Sequence, residues 1–173
     1  MNRALPDVRL RVPTDEDAFA WHRIFADPEV MEFHGGRAAE LSVYEELTAR
    51  QRRHDAELGF CLWTMVDPEG EVLGFTGAQP WPGEWGPRGE IEIGWRLGRA
   101  HWSQGFATEA ARAALAFAWD PVGLDRVVSV HAVGNHPSGN VMQKIGMHLD
   151  RETVHPKNGR AVRVYAIDRP VTG

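Results

Sequence analysis

The sequence predicts one α+β domain with a mixed, mostly antiparallel β-sheet of about seven strands, flanked by about four helices. The first observation is the element order β-α-α-β-β-β-α-β-α-β-β, in which several adjacent strands are joined by hairpin turns. The second is a strand–helix–strand crossover, which places two parallel strands side by side. The third is the length of 173 residues without a linker or repeat. That length suits one core, so residues 1–173 are expected to form a single domain.

The first half of the chain begins with a strand and two helices. Val8-Arg9-Leu10-Arg11-Val12 alternates apolar and basic residues, as a half-buried strand does. Thr14 can cap the following helix, Asp17 adds a carboxylate in its first turn, and Asp27-Pro28 ends it. A second helix is expected over about 39–56. The turn Asp67-Pro68-Glu69-Gly70 then joins two β-rich segments into a hairpin, with strands expected over 60–66 and 72–78.

The second half begins with a loop over 79–89 that holds three prolines, three glycines and two tryptophans. A strand over 90–97 and an Ala-rich helix over 108–119 follow. After the next strand, 126–132, Asn135 can cap a helix that tolerates Pro137 in its first turn and ends at Gly146. The last hairpin is expected from strands over 147–154 and 161–167.

Composition narrows the function classes. A net charge of −5 and a pI near 5.9 argue against broad nucleic-acid binding. No apolar run reaches the roughly 20 residues of a membrane helix, and the first residues do not resemble a signal peptide. Cys61 is the single cysteine, and the eight histidines lack metal-site spacing. We therefore expect a cytoplasmic protein with no metal, no nucleic-acid partner and no membrane contact.

The segment 101–110, HWSQGFATEA, is the most informative part of the chain. A strand precedes it and an Ala-rich helix follows, so its first helical N–H groups have no intrahelical partner and meet the positive end of the helix dipole. Gly105 has no side chain to obstruct an approaching phosphate. The segment therefore predicts an anion site made by backbone N–H groups.

Four segments together resemble the GCN5-related N-acetyltransferases (GNAT), and within them the ribosomal-protein N-terminal acetyltransferase (RimJ/RimL-type) branch. The first segment is Arg9-Leu10-Arg11-Val12-Pro13-Thr14-Asp15-Glu16-Asp17, and the second is Asp27-Pro28-Glu29-Val30-Met31. The third joins Glu92-Ile93-Gly94-Trp95 to the segment 102–110. The fourth joins Asn135-His136-Pro137-Ser138 to Val141-Met142-Gln143-Lys144-Ile145-Gly146-Met147. The resemblance implies the GNAT fold, with its sheet splayed between the fourth and fifth strands.

The resemblance also implies acetyl-CoA as the co-substrate. Its pantetheine arm would pair with the backbone of the fourth strand, at Trp95 and Leu97. Its pyrophosphate would bind the backbone N–H groups of a short run after that strand: Gln104, Gly105, Phe106, Ala107 and Thr108. The remaining cofactor-binding residues expected from the resemblance are Trp102, Asn135 and Lys144.

Acetyl transfer from a thioester to a primary amine needs a neutral amine, a stabilised oxyanion and a protonated leaving thiolate. Glu92 is the expected general base, acting through a water, with Glu90 and His131 as alternatives. Strand alternation predicts that Glu90 and Glu92 share one face. A backbone N–H near Gly94 and Trp95 is the expected oxyanion donor. The resemblance implies Ser138 as the proton donor to the thiolate and Asn135 as a contact of the acetyl or pantetheine group.

The acceptor side is expected around the loops that carry Phe33, His34, Trp81 and Trp85. These residues suit a protein N-terminus, as in N-terminal acetylation, or a small-molecule amine; an acidic pocket would favour a polycation. The competing hypotheses are a non-catalytic acyl-CoA-binding or regulatory domain and a nucleotide-binding module. The absence of both a P-loop ending and a G-x-G-x-x-G motif argues against the last. The protein is expected to be a monomer or a homodimer.

Overall fold

A computed structural model describes residues 7–171 of the chain. Its centre is a seven-stranded sheet in the order β1-β2-β3-β4-β5-β7-β6. Neighbouring strands are antiparallel except β4 and β5, which are parallel. The strands are Arg9–Arg11, Leu62–Val66, Val72–Pro80, Ile91–Leu97, Arg126–Ala132, His148–Val154 and Ala161–Asp168. The four helices, α1 to α4, are Asp15–Ile24, Leu41–Leu58, Phe106–Trp119 and His136–Lys144. The predicted α+β architecture is confirmed.

The two faces of the sheet are covered by different helices. On one face, Ala111, Ala114 and Leu115 of α3 pack with Met142 of α4 over Ile93 of β4. On the other face, Trp21 of α1, Phe25 just after α1 and Tyr44 of α2 pack with Phe75 of β3 in an aromatic cluster. Successive residues of β4 therefore face different helical layers.

Asp17 does more than begin the first helix. Its carboxylate accepts a hydrogen bond from the backbone N–H of Thr14 at 2.8 Å. It also accepts two bonds from Arg11, at 2.6 and 2.9 Å, and one from the hydroxyl of Thr64 at 2.8 Å. Because Asp17 is buried, these four bonds replace its hydration and tie β1, α1 and β2 together.

Three element boundaries differ from the prediction and affect the site. β3 continues through Gln79 and Pro80, because both remain in register with Glu92 and Ile91 of β4; a proline is tolerated at a strand end. α3 begins at Phe106, two residues earlier than predicted. Glu90 lies in a turn before β4, where its N–H donates to Pro87.

The outer position of the final hairpin belongs to β6, whose residues are almost all exposed. A homodimer through this edge stays a prediction. None of the helices in the span 7–171 has the length and apolar character needed to cross a membrane.

Candidate active site

A cavity of about 750 Å³ opens where β4 and β5 separate. It reaches from the α1 and α2 side of the sheet, past β4, to the beginning of α4 and the loop between β6 and β7. Its wall brings together eight of the predicted site residues: Phe33, His34, Trp81, Trp85, Glu92, Trp95, Asn135 and Ser138.

The separation of β4 from β5 leaves part of the β4 backbone without a strand partner. The two strands are paired only at Glu92 and Val128 in the described chain. Just beyond, the hydroxyl of Ser129 donates to the carbonyl of Ile93 at 2.8 Å. Because peptide groups alternate along a strand, those of Trp95 point to the same side as those of Ile93, into the gap. The gap is thus open to an extended ligand, as the resemblance implied.

Trp102 stabilises the end of this gap that lies at Leu97, the last residue of β4. Its indole N–H donates to the carbonyl of Leu97 at 3.1 Å, so the peptide groups of Leu97 are only partly available. The side chain of Gln104 donates to the carbonyl of Ala100 at 2.9 Å. Both side chains hold the loop between β4 and α3 in shape, which is compatible with backbone recognition by that loop.

The loop that begins α3 has the geometry of an anion cradle. Ser103 has φ of 59° and Gly105 has φ of 88°, whereas Gln104 between them does not have a positive φ. Such an alternation of backbone conformation turns successive N–H groups toward one side. Phe106, Ala107 and Thr108 form the first helical turn, where N–H groups lack intrahelical acceptors. Within residues 7–171, the backbone N–H groups of residues 103–108 have no carbonyl partner. The loop can therefore receive a phosphate group through the main chain.

Glu92 lies on the β4 face that points toward α2 and the cavity. It accepts a hydrogen bond at 2.7 Å from the side-chain amide of Gln79, its cross-strand neighbour. Burial raises the pKa of Glu92 to about 7, although the Gln79 hydrogen bond and the charge of Arg50 act in the opposite direction. A carboxyl group with that pKa can exchange protons near neutral pH.

A chain of buried amides holds Gln79 in place. Gln51 of α2 donates to the side-chain oxygen of Gln79 at 2.8 Å. The oxygen of Gln51 accepts from the backbone N–H of Leu62 at 2.9 Å. Since Gln51 and Gln79 are buried, each amide has one defined orientation, and the free N–H of Gln79 must point at Glu92.

The sequence does not indicate either glutamine as a site residue, because the prolines and glycines of 79–89 predict a loop at Gln79. A signal was available: Gln79 continues the alternation of the preceding apolar strand, and in register it lies opposite Glu92. A polar residue at such a position needs a polar partner. Gln51 could not be found in this way, because its partner belongs to a distant element.

Glu90 does not share the cavity with Glu92, contrary to the prediction from alternation. It precedes the strand and binds Arg126 and Arg151 on the surface, each at 3.1 Å. These ion pairs hold the carboxylate of Glu90 against β5 and β6, which carry the two arginines. Glu90 is therefore a poor candidate for the general base.

His131 of β5 lines the cavity, but its ring is packed closely against Gly139 of α4. Its Nδ1 lies 2.8 Å from the carbonyl of Ala132, so the proton is assigned to that nitrogen. Its Nε2 is buried without a hydrogen-bond partner in the described chain. A Cβ on Gly139 would lie 3.3 Å from it. Burial lowers the pKa of His131, which keeps the ring neutral.

Asn135 and Ser138 lie at the beginning of α4, at the cavity wall. The side-chain oxygen of Asn135 accepts from the backbone N–H of Ser138 at 3.4 Å, which confirms Asn135 as the helix cap. The Ser138 hydroxyl has no hydrogen-bond partner in the described chain, so it is available to a ligand. Lys144 is exposed at the other end of α4, away from the cavity wall.

The acceptor side carries an aromatic group at the cavity mouth. Trp81 and Trp85 meet edge to face with centroids 5.2 Å apart, and Trp85 packs on His155 at 4.8 Å. Arg160 lies over the ring of Phe33 at 5.4 Å. His155 and Arg160 come from the β6–β7 loop, which the sequence does not predict as part of the site. In the part of the chain described, no three metal-ligating side chains cluster together.

Comparison with known proteins gives consistent results. The family model for the acetyltransferase (GNAT) domain matches residues 7–148. The uncharacterized protein YkkB of Bacillus subtilis (strain 168) is 34% identical over 146 residues, which cover 83% of either protein.

Solved structures share the fold at low sequence identity. A putative GnaT-family acetyltransferase from Bordetella pertussis superposes with a TM-score of 0.79 at 22% identity, covering 92% of this chain and 94% of that one. A spermidine N-acetyltransferase from Vibrio cholerae, in complex with CoA and spermine, gives 0.72 at 15% identity, covering 93% and 95%. The ribosomal-protein branch stays a prediction. The domain match, the YkkB identity and the shared fold lead to one conclusion: this chain belongs to the GNAT acetyltransferase family.

Proposed function

We propose that the protein is an acetyl-CoA-dependent N-acetyltransferase that moves the acetyl group to a primary amine by direct attack in a ternary complex. The observation that carries the proposal concerns Glu92. This residue lies in the cavity beside the β4–β5 gap, and its pKa is about 7. A buried carboxyl group next to an open strand edge suits proton removal from an amine.

The donor side of the proposal rests on two features. The unpaired N–H groups at the beginning of α3 suit the pyrophosphate of acetyl-CoA. The exposed peptide edge at Trp95 suits the amides of the pantetheine arm. This supports recognition of a polyanion by backbone dipoles in a chain with a net charge of −5.

The reaction then follows with atoms balanced. Glu92 takes a proton from the ammonium form of the acceptor through a water, and the neutral nitrogen attacks the thioester carbonyl carbon. The N–H of Trp95 donates to the oxyanion that forms. The attacking nitrogen loses its second proton to solvent, the carbon–sulfur bond breaks, and the neutral amide remains. The thiolate receives a proton from solvent, either directly or through Ser138, which is reprotonated in turn. Asn135 orients the acetyl end while it caps α4.

The acceptor is a protein N-terminus or a small-molecule amine held between Phe33, His34, Trp81 and Trp85. The aromatic surfaces support either one. The proposal includes the RimJ/RimL-type branch and a cytoplasmic location, where the single, buried thiol of Cys61 has no need of a partner.

Thermal unfolding with acetyl-CoA is the first test, with ATP and NAD as controls. A ligand at about 100 times its Kd should add about 2.7 kcal/mol to the free energy of unfolding. Stabilisation by acetyl-CoA alone, followed by amine-dependent thiol release, would support the proposal. Stabilisation without thiol release from any amine would favour a non-catalytic acyl-CoA-binding domain. The absence of any stabilisation would overturn the donor site and the residue roles that depend on it.

A further inference from the structure

The cavity wall has the opposite charge sign to the protein as a whole. Its charged side chains are four cations, Arg50, Arg96, Lys157 and Arg160, and two carboxyl groups, Glu32 and Glu92. One of those carboxyl groups, Glu92, is only partly ionised at neutral pH because its pKa is about 7. The chain carries −5 overall. The positive excess is therefore a local property of the site.

None of the four cations forms an ion pair within residues 7–171. Seven arginines elsewhere each bind a carboxylate, at positions 11, 52, 88, 99, 126, 151 and 163. The other described arginines outside the cavity, at positions 9, 23, 37, 53, 112 and 169, are exposed to water. A charge removed from water without a counter-ion costs free energy. Arg50 and Arg96 each have a buried Nε without a partner in the described chain, so their positive charge in the cavity wall is left uncompensated.

Arg96 carries the strongest form of this feature. It lies on the Glu92 face of β4, and its guanidinium carbon is 5.3 Å from the centre of Phe25 and 5.4 Å from that of Phe75. Its Nε is buried without a hydrogen-bond partner in the described chain. Its other nitrogens approach two uncharged acceptors, the hydroxyl of Tyr44 and, at 3.9 Å, the sulfur of Met31. Aromatic faces offset only part of the lost hydration of a guanidinium group.

Arg50 shows the same pattern in the same cavity. It comes from α2, its Nε is buried and unpartnered in the described chain, and it lines the same cavity. Its charge is close enough to act on Glu92. Two guanidinium groups from different elements therefore line the same cavity, each with a buried Nε that has no partner in the described chain.

We infer that the acceptor is a small amine that also carries an anionic group, a carboxylate or a phosphate, bound by Arg96 and Arg50 while the amine reaches Glu92. The inference rests on the proposed N-acetyltransferase function and names its substrate class. Planar guanidinium groups match the paired oxygens of such anions. A polycation would meet four like charges, so the polycation considered from the sequence does not fit. Spermidine therefore serves as a negative comparison.

The first experiment compares acceptors that differ only in the anion. Thiol release from acetyl-CoA is measured with a series of ω-amino acids against their amides, and with phosphoethanolamine against ethanolamine. Spermidine is included. We expect kcat/KM to be about 10- to 100-fold higher for the anionic member of at least one pair, the range expected for hydrogen bonds to charged groups. The two pairs distinguish a carboxylate from a phosphate.

The second experiment uses Arg96→Met, with Arg53→Met as the matched control. Arg53 is exposed on the same helix as Arg50 and has no place in the cavity wall. Thermal unfolding is measured with succinate or inorganic phosphate, at saturating CoA so that the α3 cradle is occupied. The anion should stabilise the wild type and Arg53→Met but not Arg96→Met. Arg96→Met should also unfold at a higher temperature without anion, because it loses an uncompensated buried charge.

The outcomes separate the two proposals. Equal kcat/KM within each pair, or better turnover of spermidine, would overturn the anionic acceptor and leave the acetyltransferase function intact. Thiol release from no amine, together with no stabilisation by acetyl-CoA, would overturn the function itself. In that case the anion experiment still decides: equal stabilisation of the wild type and Arg96→Met, or of neither, would overturn the Arg96 site.

Discussion

Glu92→Gln is the substitution that most directly tests the proposed chemistry. Glutamine has nearly the same shape, and its oxygen can still accept the hydrogen bond that Gln79 donates at 2.7 Å. The change removes the ability to accept a proton and leaves the packing in place. General acid–base groups typically contribute about 100- to 10,000-fold to rate. We therefore expect kcat/KM for the amine to fall at least about 100-fold, with the affinity for acetyl-CoA nearly unchanged.

The pH dependence of the wild-type enzyme gives the sign of the effect. Glu92 must be ionised to act as a base, so kcat/KM should rise with pH through about 7, where its pKa lies. In Glu92→Gln this rise should be absent from the residual activity. The measurement is thiol release from acetyl-CoA over a range of pH, at an amine concentration well below KM.

The same substitution should change stability in the opposite direction from activity. The folded pKa of Glu92 is about 7 against an ordinary value of 4.5, so folding favours the protonated form. The stability that this provides is present below pH 4.5 and is lost as pH rises through 7. At about 1.4 kcal/mol for each pH unit, the loss is at most about 3 kcal/mol. Glu92→Gln should therefore become more stable than the wild type as pH increases, reaching its largest advantage above pH 8.

Glu90→Gln is the matched control, since it changes the same residue type two positions away. Its carboxylate is 28% exposed and pairs with Arg126 and Arg151 outside the cavity, so activity should change less than about threefold, as expected of a surface change. Near-normal turnover of Glu92→Gln would refute the reasoning. So would a stability difference from the wild type that does not vary between pH 4.5 and 8.

Three further substitutions test other parts of the site. Gly105→Asp puts a side chain at φ of 88° and a negative charge into the anion cradle; stabilisation by acetyl-CoA in thermal unfolding should be abolished, and unchanged affinity by calorimetry would remove the cradle from the donor site. Gln79→Met deletes the hydrogen bond that lowers the pKa of Glu92, so the acidic limb of the kcat/KM profile should move to higher pH; an unmoved profile would limit Gln79 to a structural role. Ser138→Ala should lower kcat about tenfold, less than the roughly 100-fold minimum typical of general acids, because a serine hydroxyl is a weak acid; an undiminished kcat would leave Ser138 only its position in the first turn of α4.

Local sequence patterns were sufficient to predict most elements. The strand Arg126–Ala132 and the helix capped by Asn135 lie where alternation and capping placed them. Both patterns depend on interactions among residues near in sequence. The predicted element boundaries at Gln79, Glu90 and Phe106 were wrong. The first two are determined by the pairing of β3 with β4, and the third is determined by the loop before α3. Those interactions join residues that no local window contains.

The sequence by itself determined the fold class and the family resemblance, and it predicted a donor site of backbone N–H groups. Periodicity, caps and the glycine at position 105 act through the backbone nearby, so they can be read along the chain. Tertiary structure alone decided which carboxylate lies in the cavity, Glu92 and not Glu90, and that Gln51 and Gln79 orient it. It also decided that Arg50 and Arg96 line one positive cavity within an acidic protein. The pKa of a group and the charge of a pocket depend on distances between elements, and folding sets those distances.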